Sequence, residues 1–290
     1  MYKIQDAFLI AEKRLTQLKA MHISPDDMVI DVGSGTLPNL RANVLCDRYI
    51  SDDAERDGAP FCAGRGQIIV ACDARRLPFK NKAFDYSICS HLVEHVEDPA
   101  LVLNELQRIS KAGYIEMPNL EWETLVGRAW HYWTAEVKNG VLEITPKEKP
   151  VLNEKLSEWC CSLARESKFF YKELYMKPYK YKLMTAFEWK GSINYRINAA
   201  ENFNLSWHKD KFKQEAMPVF AKQKMAARFH LLDNVYGPLI RRRSAKKLPP
   251  MHELTACPAC RGTLEQNGIF KCIKCAKTYE VKKGIPFLII

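Results

Sequence analysis

The 290-residue sequence has no long hydrophobic run. Its apolar stretches, such as Phe8 to Ala11 and Phe287 to Ile290, fall far short of the roughly 18 residues needed to cross a bilayer, so no membrane span is expected. A secretory leader is lacking too. Glu12, Lys13 and Arg14 follow directly on the few apolar residues of the N-terminus and break the hydrophobic region such a signal requires. The expected location is the cytoplasm. There is no internal repeat, and nothing in the sequence addresses oligomeric state. Acidic residues are scarce toward the end: residues 241–290 hold 11 Lys or Arg against 3 Glu, a net of +8 out of +10 for the chain. The body is therefore nearly neutral and the tail basic.

Cysteine, by contrast, is plentiful at ten. Cys46, Cys62, Cys72, Cys89, Cys160 and Cys161 are scattered, mostly in apolar stretches where a reduced thiol behaves as a small hydrophobe, and they read as core. The other four form Cys257-Pro258-Ala259-Cys260 and Cys272-Ile273-Lys274-Cys275, a C-x2-C-x11-C-x2-C pattern with Asn267-Gly268 as a hairpin turn between the pairs. Each C-x2-C makes a tight knuckle, and two knuckles converge on one tetrahedral metal. Structural zinc is the expectation, because four thiolates leave no position open for catalysis. Paired motifs argue against the alternative of redox dithiols. Zinc thiolates would carry −2 where the formal count has zero, lowering the tail to about +6.

Periodicity divides the chain. Ile4, Phe8, Ala11, Leu15 and Leu18 share one helical face, so residues 1–27 are expected to supply an amphipathic capping helix. From residue 28 short apolar strands end in polar or glycine residues: Met28 to Asp31, Val44 to Cys46, Ile68 to Ala71, Phe84 to Cys89 and Tyr114 to Met117. Strands alternating with connecting segments imply an α/β domain on a mostly parallel sheet, placed at 28–240. Asp98 and Pro99 give an N-cap and first-turn proline to a helix that turns Leu103, Leu106 and Ile109 inward. An α-rich insertion is expected around 125–180, where Leu152, Leu156, Trp159, Cys160 and Leu163 make a helical stripe. Gly191-Ser192 between two apolar runs predicts a hairpin finishing the sheet with an antiparallel strand. Residues 241–250, RRRSAKKLPP, read as a basic linker, and 251–290 as the cysteine module.

Three features point to a nucleotide-like cofactor. Val29-Ile30-Asp31-Val32-Gly33-Ser34-Gly35 is a strand running into Gly-x-Gly, where a backbone without Cβ can approach a ligand. The second strand ends in Asp47, where an α/β nucleotide site places an acid for ribose hydroxyls. The third ends in Asp73-Ala74, positioned to meet an adenine amino group. A hydride-transfer dinucleotide site is disfavoured, because its fingerprint needs a third glycine and a full helix after this loop. Only 15 residues separate Asp31 from Asp47, so the helix between the first strands must be short or irregular.

Asp73-Ala74, Leu77-Pro78-Phe79, Phe84-Asp85, Glu94-His95 and Asp98-Pro99 together resemble the class I S-adenosylmethionine-dependent methyltransferases, especially the branch that includes quinone-biosynthesis enzymes. The resemblance covers roughly residues 28–120 and implies a Rossmann-like, seven-stranded sheet. It implies Asp31, Gly33, Ser34 and Gly35 under the methionine part of the cofactor, Asp47 on the ribose, Asp73 and Ala74 on the adenine, and Ser90 with His91 lining the site. His91-Leu92-Val93-Glu94-His95 also fits the H-x-x-E-H pattern of zinc metallopeptidases. A peptidase would set that pattern on a long helix, whereas here it follows a buried strand and meets Asp98-Pro99. Glu94 and His95 are read as polar contacts at the pocket rim.

Methyl transfer needs alignment more than a base, but a hydroxyl acceptor can use a histidine. His91 is the first candidate and His131, in His131-Tyr132-Trp133, the second. Glu116, at the end of the fifth strand, is placed to face the acceptor. The end of the fourth strand, Cys89-Ser90-His91-Leu92, lacks an Asn-Pro-Pro-Tyr type motif, which leans toward an oxygen or carbon acceptor. Residues 251–290, with Tyr279-Glu280-Val281 and Gly284 to Ile289, resemble the small zinc-ribbon partner that activates several tRNA, rRNA and protein methyltransferases. The leading expectation is a methyltransferase for a small metabolite or glycan, stabilised by its ribbon. RNA methylation and a catalytically inactive scaffold are the alternatives.

Overall fold

A computed structural model describes residues 21–51, 60–167, 169–170, 182–199, 219–241 and 248–290. The helix expected within 1–27 falls largely outside these residues, as do 242–247 of the linker. In chain order the described strands are β1 (Val29–Val32), β2 (Val44–Asp47), β3 (Ile68–Ala71), β4 (Phe84–Ser90), β5 (Ser110–Pro118), β6 (Trp133–Lys138), β7 (Val141–Pro146), β8 (Met184–Lys190), β9 (Tyr195–Ile197), β10 (Leu264–Asn267), β11 (Ile269–Cys272), β12 (Thr278–Tyr279), β13 (Val281–Lys282) and β14 (Ile285–Pro286). The described α-helices are α1 (Pro99–Ile109), α2 (Leu120–Leu125), α3 (Glu154–Glu166), α4 (Val219–Arg241) and α5 (Met251–Leu254). The chain forms two compact units. One comprises Met1–Cys89, Asn104–Gly113 and Glu215–Ile290, the other Ser90–Leu103 and Tyr114–Gln214.

In the first unit β3, β2, β1 and β4 lie side by side in that order, all parallel. Strands covered on both faces read as unbroken apolar runs, and Val29, Ile30, Val32, Val44 and Leu45 are all buried. This parallel-rich α/β arrangement is that of a Rossmann-like domain. No helix joins β1 to β2. Buried side chains take over the hydrogen bonds a helix would have made internally. Asn43 Oδ1 accepts from Val29 N at 2.9 Å, and Gln67 Nε2 donates to the carbonyls of Asn39 and Ala42 at 3.0 and 2.8 Å. Arg41 Nη2 gathers the carbonyls of Ser24, Pro25 and Asp27.

The cysteine module packs onto this sheet. Phe79 and Thr255 form an antiparallel bridge, flanked by Lys80 N to Leu254 O at 2.9 Å and Ala256 N to Pro78 O at 3.0 Å. Phe287 pairs in parallel with Ala71, and Leu288 N donates to Ala71 O at 2.8 Å, so the chain's last residues extend the sheet beyond β3. Arg261 forks onto both oxygens of Glu105 at 2.9 Å and also donates to Leu77 O. Arg76 donates to the carbonyls of Pro258 and Ala259.

Arg241 corrects the linker assignment. It ends α4 and is buried, donating to Leu40 O at 2.7 Å, Arg65 O at 2.9 Å and Asp233 Oδ1 at 2.6 Å. Close approach demands glycine here: a Cβ on Gly237 would stand 2.3 Å from Asp233 Oδ1.

In the second unit β8 neighbours β5, and a separate three-stranded sheet runs β6-β7-β9. The predicted hairpin across Gly191-Ser192 does not form. After an isolated Lys190–Ser192 bridge the chain leaves β8, and β9 pairs in parallel with β7. Among the described residues of the insertion, β6 and β7 form an antiparallel hairpin ahead of α3. Its turn, Asn139-Gly140, has φ of 50° and 75°, the left-handed pair a two-residue hairpin requires.

The Arg261–Glu105 fork predicts that Arg261→Ala destabilises the protein by about 1–3 kcal/mol, the worth of charge-assisted hydrogen bonds in a partly buried place. Chemical denaturation measures it. An unchanged midpoint would mean that main-chain pairing alone docks the module.

Candidate functional site

The turn after β1 is shaped by Gly33 and Gly35, with left-handed φ of 74° and 54°. Gly33 N and Ser34 N donate to Cys46 O at 2.8 and 3.2 Å. Asp47, at the end of β2, accepts from Gly35 N at 3.0 Å and from Tyr49 N at 2.9 Å. Asp31 accepts from Asn39 N at 2.7 Å. Both aspartates thus hold the turn at the C-terminal ends of parallel strands, where ligands of open α/β sheets bind. Ser34 Oγ and Asn39 Nδ2 are buried with no hydrogen-bond partner among the described residues. Orphaned groups of this kind cost about 1–3 kcal/mol each and mark a place where a ligand atom fits.

Asp73 caps the short 3-10 turn Ala74–Arg76, accepting from Arg75 N at 2.9 Å, from Arg75 Nη2 at 2.7 Å and from Arg48 Nη1 at 3.1 Å. Burial pushes its carboxyl pKa up, but the Arg75 hydrogen bonds and the charges of Arg75 and Arg48 outweigh burial and hold it below the usual value. Asp31, Gly33, Ser34, Gly35, Asp47, Asp73 and Ala74 all lie in the first unit, while Ser90, His91 and His131 lie in the second.

In that second unit His91 has a φ of 56°, a strained value for a residue with a side chain. Its N–H donates to Glu116 O at 2.9 Å. Its ring lies between two carboxylates, Nδ1 3.3 Å from Glu94 Oε1 and Nε2 3.2 Å from Glu116 Oε1. Tyr114 Oη donates to Glu116 Oε2 at 2.7 Å. Glu116 is therefore buried and engaged. Glu94 is fully buried, which corrects its assignment to the pocket rim, and its Oε2 has no hydrogen-bond partner among the described residues. Burial pushes the Glu94 carboxyl up, but the hydrogen bond from His91 and the neighbouring histidines outweigh it and hold it below its usual value.

The rings of His95 and His131 meet edge to face, 4.7 Å between centroids. Burial and the adjacent His131 push the His95 pKa down to about 4, so the ring is neutral. His131 Nδ1 is 2.6 Å from Glu123 Oε1, whose other oxygen accepts from Lys147 Nζ at 2.7 Å. Lys147 is wholly buried, and that burial lowers its pKa against the pull of Glu123. Neither Glu123 nor Lys147 stood out in the sequence. One sits in an acidic helix start and the other in a Lys-Glu-Lys run, and neither pattern carries a local sign of burial. A cleft of about 830 Å³ in this unit is lined by Asn119, Thr134, Glu136, Thr145, Lys147 and Asn153, among others.

The four tail cysteines converge as their spacing implies, with one ligand atom of each within 4.8 Å of the others. The two knuckles match. Arg261 and Ala276, each directly after the second cysteine of its pair, take left-handed φ of 62° and 59°. Gly262 must be glycine, since a Cβ there would lie 3.1 Å from Cys272 Sγ and 2.8 Å from Lys274 Cβ. Among the described residues no helix is long and apolar enough to cross a membrane.

Residues 30–115 match the family model described as a methyltransferase domain. No curated protein sequence matches the chain. Among solved structures, a complex of a methyltransferase activator with a candidate methyltransferase from Haloferax volcanii is similar at 19% identity and TM-score 0.30, covering 39% of this chain and 53% of that one. A S-adenosylmethionine-dependent methyltransferase of Methanosarcina mazei is similar at 18% identity and TM-score 0.28, covering 36% and 58%. One from Mesorhizobium loti is similar at 12% identity and TM-score 0.37, covering 62% and 98%. The chain spans just over half the length of the first two.

The buried Lys147–Glu123–His131 chain predicts that Glu123→Gln costs about 3–5 kcal/mol, because it strands a buried ammonium. Denaturant titration at neutral pH would reveal it. A loss under about 1 kcal/mol would show that Lys147 reaches water.

Proposed function

We propose that the protein is a S-adenosylmethionine-dependent methyltransferase acting on an oxygen, or a carbon, of a small metabolite or glycan. The carrying observation is the Gly33-Ser34-Gly35 turn, stitched to Asp47 and leaving the Ser34 hydroxyl buried without a partner among the described residues, inside the stretch that matches the methyltransferase-domain model. The residues fit the cofactor. Asp31, Gly33, Ser34 and Gly35 would receive its amino-acid end, Asp47 its ribose, Asp73 and Ala74 its adenine, with Ser90 at the end of β4 as a further cofactor contact. When bound, S-adenosylmethionine supplies a methyl group on a positively charged sulfur. Everything else falls to the chain: holding the acceptor in line about 3 Å away and keeping water out.

His91 is the proton acceptor. A neutral imidazole has one N–H, yet both its nitrogens face carboxylates, Glu94 and Glu116. Taking up a proton therefore satisfies the second contact, and the ring, 31% exposed, remains reachable. His131 is the second candidate, but it is more deeply buried and tied to Glu123. The polar lining of the 830 Å³ cleft suits a hydroxylated acceptor. Cys257, Cys260, Cys272 and Cys275 would hold a structural zinc, and the pairing of this ribbon with β3 and Phe79 supports a stabilising role. The quinone-like branch, the seventh strand and a cytoplasmic location belong to the same proposal.

RNA methylation is the second reading, and the burial of Arg241 weighs against it, since that guanidinium cannot reach a phosphate. Calorimetric titration with S-adenosylmethionine and S-adenosylhomocysteine tests the whole. Both should bind, and Asp47→Ala should weaken them roughly 5- to 150-fold, equivalent to about 1–3 kcal/mol. Absence of binding would favour the inactive scaffold. Labelled methyl entering a defined RNA, and lost on replacing Arg242, Arg243, Lys246 and Lys247 with alanine, would establish the RNA reading instead.

A further inference from the structure

We propose that Glu94, His95 and His131 form a second metal site, for a divalent first-row transition ion such as zinc, distinct from the four cysteines. One ligand atom from each lies within 4.8 Å of the others. Ligands about 2.1 Å from a tetrahedral ion sit about 3.4 Å apart, so closure asks for small side-chain movements. The donor set of two imidazoles and one carboxylate suits zinc.

Independent observations make this a built site. Glu94 is fully buried with Oε1 turned to His91, while Oε2 has no hydrogen-bond partner among the described residues. A buried carboxylate oxygen without a donor calls for a cation. Behind His131 stands a complete support: Glu123 holds its Nδ1 at 2.6 Å, so Nε2 is the nitrogen left to bind an ion, and Lys147 anchors Glu123 in turn. A carboxylate behind a ligating histidine fixes its tautomer and raises its basicity. Charge agrees as well. Glu94, Glu116 and Glu123 are buried carboxylates served by one buried ammonium, Lys147. Three carboxylates against one ammonium leave an excess of negative charge that a divalent cation would offset.

The arrangement differs from the peptidase pattern that the same residues spell. Glu94 and His95 are consecutive on a 3-10 turn, Val93–His95, rather than one helical turn apart from His91. His91 instead holds Glu94, and the third ligand comes from just ahead of β6. Tyr132 N, next to His131, donates to Glu94 O at 2.7 Å, tying the two segments together. Three protein ligands leave one tetrahedral position for an oxygen donor, water or an acceptor hydroxyl, and the second of these rests on the methyl-transfer reading.

Cobalt(II) reports on both sites at once. The full-length protein is stripped of metal and titrated with cobalt, reading thiolate-to-cobalt charge transfer in the near ultraviolet and the weaker d–d bands in the visible. Two equivalents are expected, only one of them with the thiolate signature. Glu94→Gln and His131→Asn should each bind one equivalent and keep the thiolate band, whereas Cys272→Ser should lose that band and keep the other site. Uptake of a single, thiolate-type equivalent by the unaltered protein would overturn the proposal, as would two equivalents unaffected by both Glu94→Gln and His131→Asn. S-adenosylhomocysteine titration of the same samples checks that the variants remain folded. Its failure in the unaltered protein would instead count against the methyl-transfer reading, leaving the cobalt count to decide the metal site.

Discussion

The connection between Val32 and Val44 is buried and has no helix, and much of the first unit follows from that constraint. Backbone polar groups taken from water must be paired. In this connection the pairing is done by Asn39, Arg41, Asn43 and Gln67, side chains that a surface loop would have left in solvent. Asp31 and Asp47 then serve two ends, fixing the backbone of the glycine turn and presenting carboxylates at the strand ends. An aspartate held by backbone amides cannot swing away, so the turn is organised before any ligand arrives. Preorganisation of this kind lowers the ordering cost of binding.

The cysteine module solves a related problem at the edge of the sheet. An exposed strand edge is a template for unwanted pairing, and Ala71 of β3 is instead paired by Phe287 from the end of the chain. Arg108 and Arg261 gather around Leu77-Pro78-Phe79 and Glu105, satisfying the carbonyls of Leu77 and Phe79, while Arg76 donates to those of Pro258 and Ala259. The Leu77-Pro78-Phe79 motif thus also forms the strand on which the cysteine module docks. If the four thiolates bind zinc, metal affinity and the stability of this edge are coupled through the same forty residues.

In the second unit the organising quantity is buried charge. A carboxylate inside a protein is tolerated when paired, and the pairs form a chain: Lys147 to Glu123 to His131, with His95 against His131 and Glu94 against His91. The strained backbone of His91 persists because its own N–H is held by Glu116 O while its ring is gripped from both sides. Strain that the surroundings over-determine in this way is characteristic of working sites rather than of connecting loops.

Local chemistry made much of this legible in advance. Short apolar runs ending in Gly or Asp specified β1 to β4, Asp98-Pro99 specified the start of α1, and cysteine spacing specified the knuckles, because each depends on neighbours within a few residues. Failures came where partners are distant in sequence. The turn signal at Gly191-Ser192 was real, yet β9 found its partner in β7, since a strand's pairing is decided by which edge offers matching hydrogen bonds and burial. Arg241 read as a linker charge because nothing nearby announces Asp233, Leu40 and Arg65. Glu94 read as a rim contact for the same reason, and nothing beside Lys147 in the sequence signals its burial. The sequence by itself determined the domain type, the glycine turn with its acids and the four-cysteine module. Only the tertiary structure decided which charges are buried together, because the energy of a buried charge depends on its three-dimensional neighbours and not on its neighbours along the chain.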